Sequence, residues 1–159
     1  MSAEVNKPMK RHRAMQPLSR DHHHGLLLCW KIRTGLAKGI ETQRIKRYID
    51  WFFTNHALPH FELEERYLFP ILGTENELVK KALLEHGRLT LLFRDTDGIT
   101  KSLASIQDEL EKHIRFEERI LFNEIEKSAT VKQLQTILKM HNDEKFNDNT
   151  DDPFWDQKD

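Results

Sequence analysis

A single cysteine, Cys29, means that the 159-residue chain can form no intrachain disulfide and is not a disulfide-stapled secreted module. Glycine and proline are sparse, six and five. No window alternates apolar and polar residues with β-branched enrichment, so strands have little support. The longest apolar run, Leu26 to Trp30, falls far short of the roughly 18 residues needed to cross a bilayer. Met1 to Pro17 lacks the apolar stretch of a signal peptide, and the expectation is cytoplasmic residence with no membrane partner. Excess charge is missing too: a net −1 gives no electrostatic case for nucleic acid. What charge asymmetry exists sits at the ends. Lys7, Lys10, Arg11 and Arg13 crowd the start and acids dominate the finish, so residues 1–17 read as a basic tail and 142–159 as an acidic, disordered one. With 38% of the whole chain apolar, the stretch 18–141 can build one domain with a genuine core.

That domain reads as all-α. Ser19 is a candidate N-cap for a first helix to about Lys38, stopped by Gly39. A second runs from about Glu41 to Phe69 and ends near Pro70 and Gly73. Thr74, with Glu77 completing a capping box, opens a third to about Asp95. A fourth occupies about Ile99 to Lys127, and Thr130 opens a short fifth to about His141. Four long helices joined by connections of a few residues predict an up-down-up-down four-helix bundle with the short fifth helix appended. Taking about 100° per residue, Leu26, Cys29, Ile32, Leu36 and Ile40 fall on one side of the first helix, with Arg20, Lys31 and Lys38 opposite. Val79, Ala82, Leu83, Leu89 and Phe93 define the apolar face of the third.

The most informative feature is a repeat. His60 to Phe69, H-F-E-L-E-E-R-Y-L-F, reappears as His113 to Phe122, H-I-R-F-E-E-R-I-L-F, with six of ten residues identical. Each copy holds an H-x-x-x-E pair, and residues four apart on a helix share one face at about 5–6 Å between Cβ atoms. His60 with Glu64, and His113 with Glu117, therefore present an imidazole and a carboxylate in one direction. On the first helix His22 falls on the apolar stripe, His23 at its margin and His24 on the wet side; on the third, His86 lies on the apolar face.

One inward histidine alone reads as a hydrogen-bonded core residue, and one H-x-x-x-E pair as an exposed helical contact. Four imidazoles and two carboxylates converging on one small core are different. Burying them uncompensated costs several kcal/mol per ionised group, and a cation removes that cost. The predicted metal ligands are His22, His60, Glu64, His86, His113 and Glu117. Carboxylate and imidazole without thiolate suit iron, manganese or zinc. Six donors exceed one tetrahedral zinc and suit two metals sharing both glutamates, with two iron ions as the leading assignment and zinc or manganese as alternatives. Glu65 and Glu118 either accept from imidazole N–H groups or, as the default, pair with Arg66 and Arg119. His56, one turn before His60, reads as a non-ligand, and Pro59 should kink the second helix, freeing the carbonyl of Asn55.

The pattern H…H-x-x-x-E…H…H-x-x-x-E, with L-P-H-F-E-L-E-E-R-Y-L-F-P and H-I-R-F-E-E-R-I-L-F at its paired motifs, resembles the hemerythrin-like HHE cation-binding domain over about Leu18 to Glu126. The resemblance implies a four-helix bundle with a non-haem di-iron centre bridged by two glutamates and an oxo or hydroxo group. Family histidines map onto His22, His60, His86 and His113, and bridging glutamates onto Glu64 and Glu117. Oxygen-carrying hemerythrins differ, with H-x-x-x-H on the third helix, where Thr90 stands here, and H-x-x-x-x-D on the fourth. The four-histidine, two-glutamate set is closer to di-iron proteins of iron–sulfur repair and nitrosative stress, yet residues 1–17 lack the cysteine found in their N-terminal region.

Three functions follow as expectations. The leading one is a non-catalytic protein whose di-iron centre binds a small diatomic ligand, O2 or NO, for sensing, storage or scavenging. The alternative is an enzyme or iron donor acting in iron–sulfur centre repair or in NO or peroxide reduction. A third is an interaction module using Phe154 and Trp155 of the acidic tail, against which plain disorder is the default. The sequence specifies no protein partner.

Overall fold

The computed structural model describes residues 10–141 and 145–156; Lys7 with the rest of the first nine residues, residues 142–144 and residues 157–159 lie outside the described residues. The described residues are helical, with no strand among them. A 3₁₀ turn, Arg13–Met15, leads into α1, Gln16–Ala37. The next helical rod, α2, covers residues 42–72, and α3 is Glu77–Arg94. The rod α4 covers residues 99–128, α5 is Val131–Met140, and a 3₁₀ turn, Phe154–Asp156, closes the chain. No helix among the described residues is long and apolar enough to cross a membrane.

Helix ends follow local chemistry, in two places not the chemistry expected. Ser19 is no N-cap: α1 begins earlier, where Pro17 fits the first turn because its missing N–H would be unpaired there anyway. Ser19 Oγ instead donates to Glu118 at 2.8 Å. Likewise Asn76, not Thr74, caps α3, its side-chain oxygen accepting from the N–H groups of Leu78 and Val79. Gly39 ends α1 at φ +71°, with Ile40 N–H returning to Gly35 C=O and Gly39 N–H to Leu36 C=O, a Schellman closure that glycine alone makes without strain. Thr130 and Gln133 form a reciprocal capping box for α5.

The two rods are interrupted by wide turns. Phe53–Ala57 and Glu64–Leu68 in α2, and Glu117–Leu121 in α4, are π-helical. In the first, Leu58 N–H reaches Phe53 C=O, so the loosened turn lies immediately before Pro59, the residue that has no N–H to give Asn55. The other two begin at Glu64 and at Glu117.

Helix α1 lies along α4, α3 also lies along α4, and α2 touches all three. Two apolar clusters result. One gathers Leu28, Ile32, Ile49, Phe93 and Ile106; the other gathers Leu18, Leu68, Phe69, Phe122 and Ile125. On every long helix the histidine or glutamate of interest falls in sequence between members of the two. Gly25 permits close approach of α1 to α4, since a Cβ there would meet Ile114 Cδ1 at 2.8 Å.

Neither end of the chain is a solvated tail over its described part. Ala14 and Met15 are buried, and Arg11 reaches Glu126 and Asn123 of α4. At the other end Phe154 is fully buried and Trp155 nearly so. Asp148 accepts from Lys31 and Tyr48, and Asp152 accepts two bonds from Arg44 at 2.9 and 2.6 Å. Asp148 and Asp152 thus find cations and a hydroxyl on α1 and α2, and two aromatic rings supply the apolar area that orders the segment. Lys31, expected on the wet side of α1, is buried for this reason, with Nζ 4.0 Å from the Trp155 ring centroid. Leu83, expected in the core, is exposed.

Candidate metal centre

Six buried side chains meet between the two apolar clusters. His22, His60, Glu64 and Glu117 form one group and Glu64, His86, His113 and Glu117 a second, each with its donor atoms within 4.8 Å of one another. Both glutamates belong to both groups. His60 Nε2 lies 3.1 Å from Glu64 Oε2, and His113 Nε2 lies 3.3 Å from Glu117 Oε2, the helical spacing of each repeat placing them on one face. His22 Nε2 is 2.9 Å from Glu117 Oε1, and His86 Nε2 is 3.0 Å from Glu64 Oε1. All six residues of the sequence pattern are therefore brought together. His23 is exposed and outside both groups, which leaves His22 as the inward member of the H-H-H run.

The ring orientations have a cause. Each Nδ1 is tied to a carboxylate: His22 to Glu118 at 2.6 Å, His60 to Asp21 at 2.9 Å, His86 to Glu65 at 2.7 Å, His113 to Glu85 at 2.6 Å. A carboxylate accepts only, so Nδ1 carries the hydrogen, and in the neutral ring the Nε2 lone pair is directed inward, the tautomer a metal requires. Of the alternatives for Glu65 and Glu118, the imidazole contacts are the ones formed. Sequence assigns Asp21 only to the positive end of the α1 dipole and gives Glu85 no role, so neither imidazole contact is expected. A signal existed: each lone histidine is preceded by an acid, Asp21-His22 and Glu85-His86, just as each motif glutamate is followed by one. The four acids then divide by role, the preceding acid serving the motif histidine and the following acid serving the lone one.

Stacking fixes the rings further. His86 lies on Phe61 at 4.0 Å between centroids with 15° between planes, and His22 on Phe122 at 5.1 Å and 17°.

Inside the cage, hydrogen bonding is incomplete: only His22 Nε2 is met, by Glu117 Oε1 at 2.9 Å and by His60 Nε2 at 3.2 Å. Both oxygens of Glu64, Glu117 Oε2, His86 Nε2 and His113 Nε2 are fully buried without a hydrogen-bond partner, although several lie 3.0–3.7 Å from one another. Buried orphan polar atoms are rare because each costs its desolvation, and five aimed at one centre call for a cation. Oxygen and imidazole nitrogen donors without a thiolate fit a divalent transition metal. Without a metal the charges fall back on protons. Burial disfavours the imidazolium of His86, but Glu117, Glu64 and Glu65 outweigh it and push its pKa up to about 11. His113 is treated the same way by burial and by Glu117 and Glu85, reaching about 9. His22 and His60 are also raised, and Glu117 is held well below the usual carboxylate range by His113, His22 and His86 despite its burial.

A small cavity of about 40 Å³ adjoins the cage. His22, His60 and His113 border it, and Gly25, Phe52, Ala57, Phe61, Leu110 and Ile114 give it apolar walls. His56 borders it too, outside both donor groups and 4.6 Å by ring centroid from Phe146.

Comparison with protein-family models, with curated proteins and with solved structures finds no match to this chain.

Proposed function

We propose that the chain is a hemerythrin-like HHE protein, an up-down-up-down four-helix bundle with a short fifth helix, whose centre holds two iron ions and binds O2 or NO for sensing, storage or scavenging. One observation carries the reading: two buried four-residue donor groups share Glu64 and Glu117. Two histidines per metal, His22 with His60 and His86 with His113, leave each position short of a full octahedral set. When bound, a reduced iron pair supplies electrons and a reversible attachment point for a diatomic molecule. The chain's own part is to hold the imidazoles in one tautomer, to keep Glu117 ionised and to limit water with the apolar walls of the adjoining cavity. The motif resemblance supports the family, and the ordered cage supports metal binding. Metal analysis with an anaerobic optical titration tests both levels. Two irons per chain with a reversible O2- or NO-dependent band is the expected result. Fewer than one metal per chain sinks the centre; zinc or manganese at full occupancy sinks the diatomic chemistry and leaves the cage.

A further inference from the structure

The repeat gives the two sides of the cage the same residues but not the same bonding. Each glutamate turns one oxygen to each side. Glu64 Oε1 lies 3.0 Å from His86 Nε2, while Glu64 Oε2 lies 3.1 Å from His60 Nε2. Glu117 Oε2 lies 3.3 Å from His113 Nε2, while Glu117 Oε1 lies 2.9 Å from His22 Nε2. The inward donor atoms therefore divide into two sets, one for each donor group, with no oxygen counted twice.

The sets differ in what their atoms are already doing. On the side of α3 and α4, His86 Nε2, His113 Nε2, Glu64 Oε1 and Glu117 Oε2 are all buried without a hydrogen-bond partner. On the side of α1 and α2, Glu64 Oε2 alone is in that state. There His22 Nε2 donates to Glu117 Oε1 and meets His60 Nε2 at 3.2 Å, so the other three donors are engaged with one another. An ion entering beside His86 and His113 breaks no hydrogen bond and relieves every unpaired atom it touches. An ion entering beside His22 and His60 must first undo the His22 contacts. Proton loss does not separate the sides, since all four imidazoles lie above their ordinary value. Packing favours the same side: His86 is stacked on Phe61 and lies 5.4 Å by centroid from Phe69, whereas His22 and His60 both border the adjoining cavity.

We propose that the centre has two unequal positions: the His86–His113 position is preformed and takes the first ion, and the His22–His60 position takes a second ion only by displacing its own hydrogen bonds. The inference rests on the metal-centre reading and adds the order in which that centre assembles. Two hydrogen bonds of ordinary strength separate the positions, so their dissociation constants should differ by about tenfold or more.

Anaerobic calorimetric titration of the metal-free full chain with Fe²⁺ tests this. The wild-type protein should bind two ions in two resolved steps. Repulsion between two cations would by itself separate the steps, so variants are needed to locate the first. His22→Ala should bind one ion with the wild-type affinity of the first step, and His86→Ala should weaken that step by about tenfold or more. Equal weakening in the two variants, the reverse order, or a single two-ion step in the wild-type protein would overturn the inequality and leave the centre standing. No binding of Fe²⁺ by the wild-type protein would overturn the centre, and the inequality with it. If either alanine variant fails to fold, His22→Gln and His86→Gln make the same comparison with a bulkier polar side chain in place.

Discussion

His60 and His141 share one oxygen atom: Oδ2 of Asp21 accepts from His60 Nδ1 at 2.9 Å and from His141 Nε2 at 2.8 Å. A ring of the cage is thereby coupled to the residue that ends α5. Asp21 is half-buried, which disfavours its charge, yet the two imidazoles hold its carboxyl below the usual carboxylate range.

Asp21→Ala removes the group that orients His60. Metal affinity should fall by about 10–100-fold, the usual effect of losing a carboxylate behind a ligating histidine. Competition with a chromogenic chelator measures it, and Asp21→Asn, which keeps an acceptor oxygen, should recover part of the loss. Equal affinity in all three proteins would show that His60 is held without Asp21.

Glu64→Ala and Glu117→Ala each remove a carboxylate common to both donor groups. Each variant should lose both metals and not one, with a lower thermal midpoint in the metal-loaded preparation because binding free energy is also folding free energy. Elemental analysis after desalting reads the stoichiometry; two metals retained in both variants would assign the wrong carboxylates.

The metal-free protein should weaken as pH rises. Folded His113 and His86 hold their protons up to about 9 and about 11, against 6.5 for an ordinary histidine. Raised values mean that protonation stabilises the fold fully below about 6.5, and that this contribution disappears as pH climbs through the folded values. Urea unfolding of metal-free protein across that window should show falling stability, with metal-loaded protein much less affected. A flat profile for the metal-free form would show that the imidazoles are already neutral at low pH.

Gly35→Ala should undock the C-terminal segment. The added Cβ would meet Phe154 at 2.8 Å and Ile45 at 2.9 Å, and overpacking of this kind costs about 1–3 kcal/mol. Faster cleavage between residues 145 and 153 in limited proteolysis is the expected signature. Wild-type cleavage kinetics would mean that Phe154 is not what fastens the segment.

Cys29 is fully buried, and burial pushes its thiol up to about 12. Alkylation by iodoacetamide should be negligible in native protein and complete in denaturant. Rapid native labelling would place this face of α1 in solvent.

The helices and the six inward residues were readable because both depend on period: apolar residues at helical spacing, and H-x-x-x-E repeated on two helices. What escaped was non-periodic. The order of residues 145–156 depends on distant partners, Lys31 and Arg44 for the acids and Gly35 for Phe154, none adjacent in sequence. Lys31 looked solvated for the same reason, because the surface that covers it arrives more than a hundred residues later. Ser19 and Thr74 fit the cap preference, but α1 starts earlier, with Met15 at its N-cap and Pro17 in its first turn, and Asn76 caps α3, a choice of a few residues that propensity does not resolve. The wide turns at Glu64 and Glu117 left no mark in composition. The acids Asp21 and Glu85 were legible as dipeptides, once the roles of Glu65 and Glu118 supplied the rule.

That rule makes the molecule a chemical direct repeat. Helices α1 and α2 contribute one acid-histidine dipeptide and one H-x-x-x-E-E segment, and α3 with α4 contribute the same. Each half holds two imidazoles of one donor group and needs a glutamate from the other half to complete it. Each half also lends the acid that orients the other's lone histidine, Glu118 to His22 and Glu65 to His86. Such a half is self-complementary in its ligand valence. A peptide of α1 and α2 alone therefore carries the donors for half a centre, and two copies related by a twofold axis would carry the whole set, with metal as the glue of the dimer.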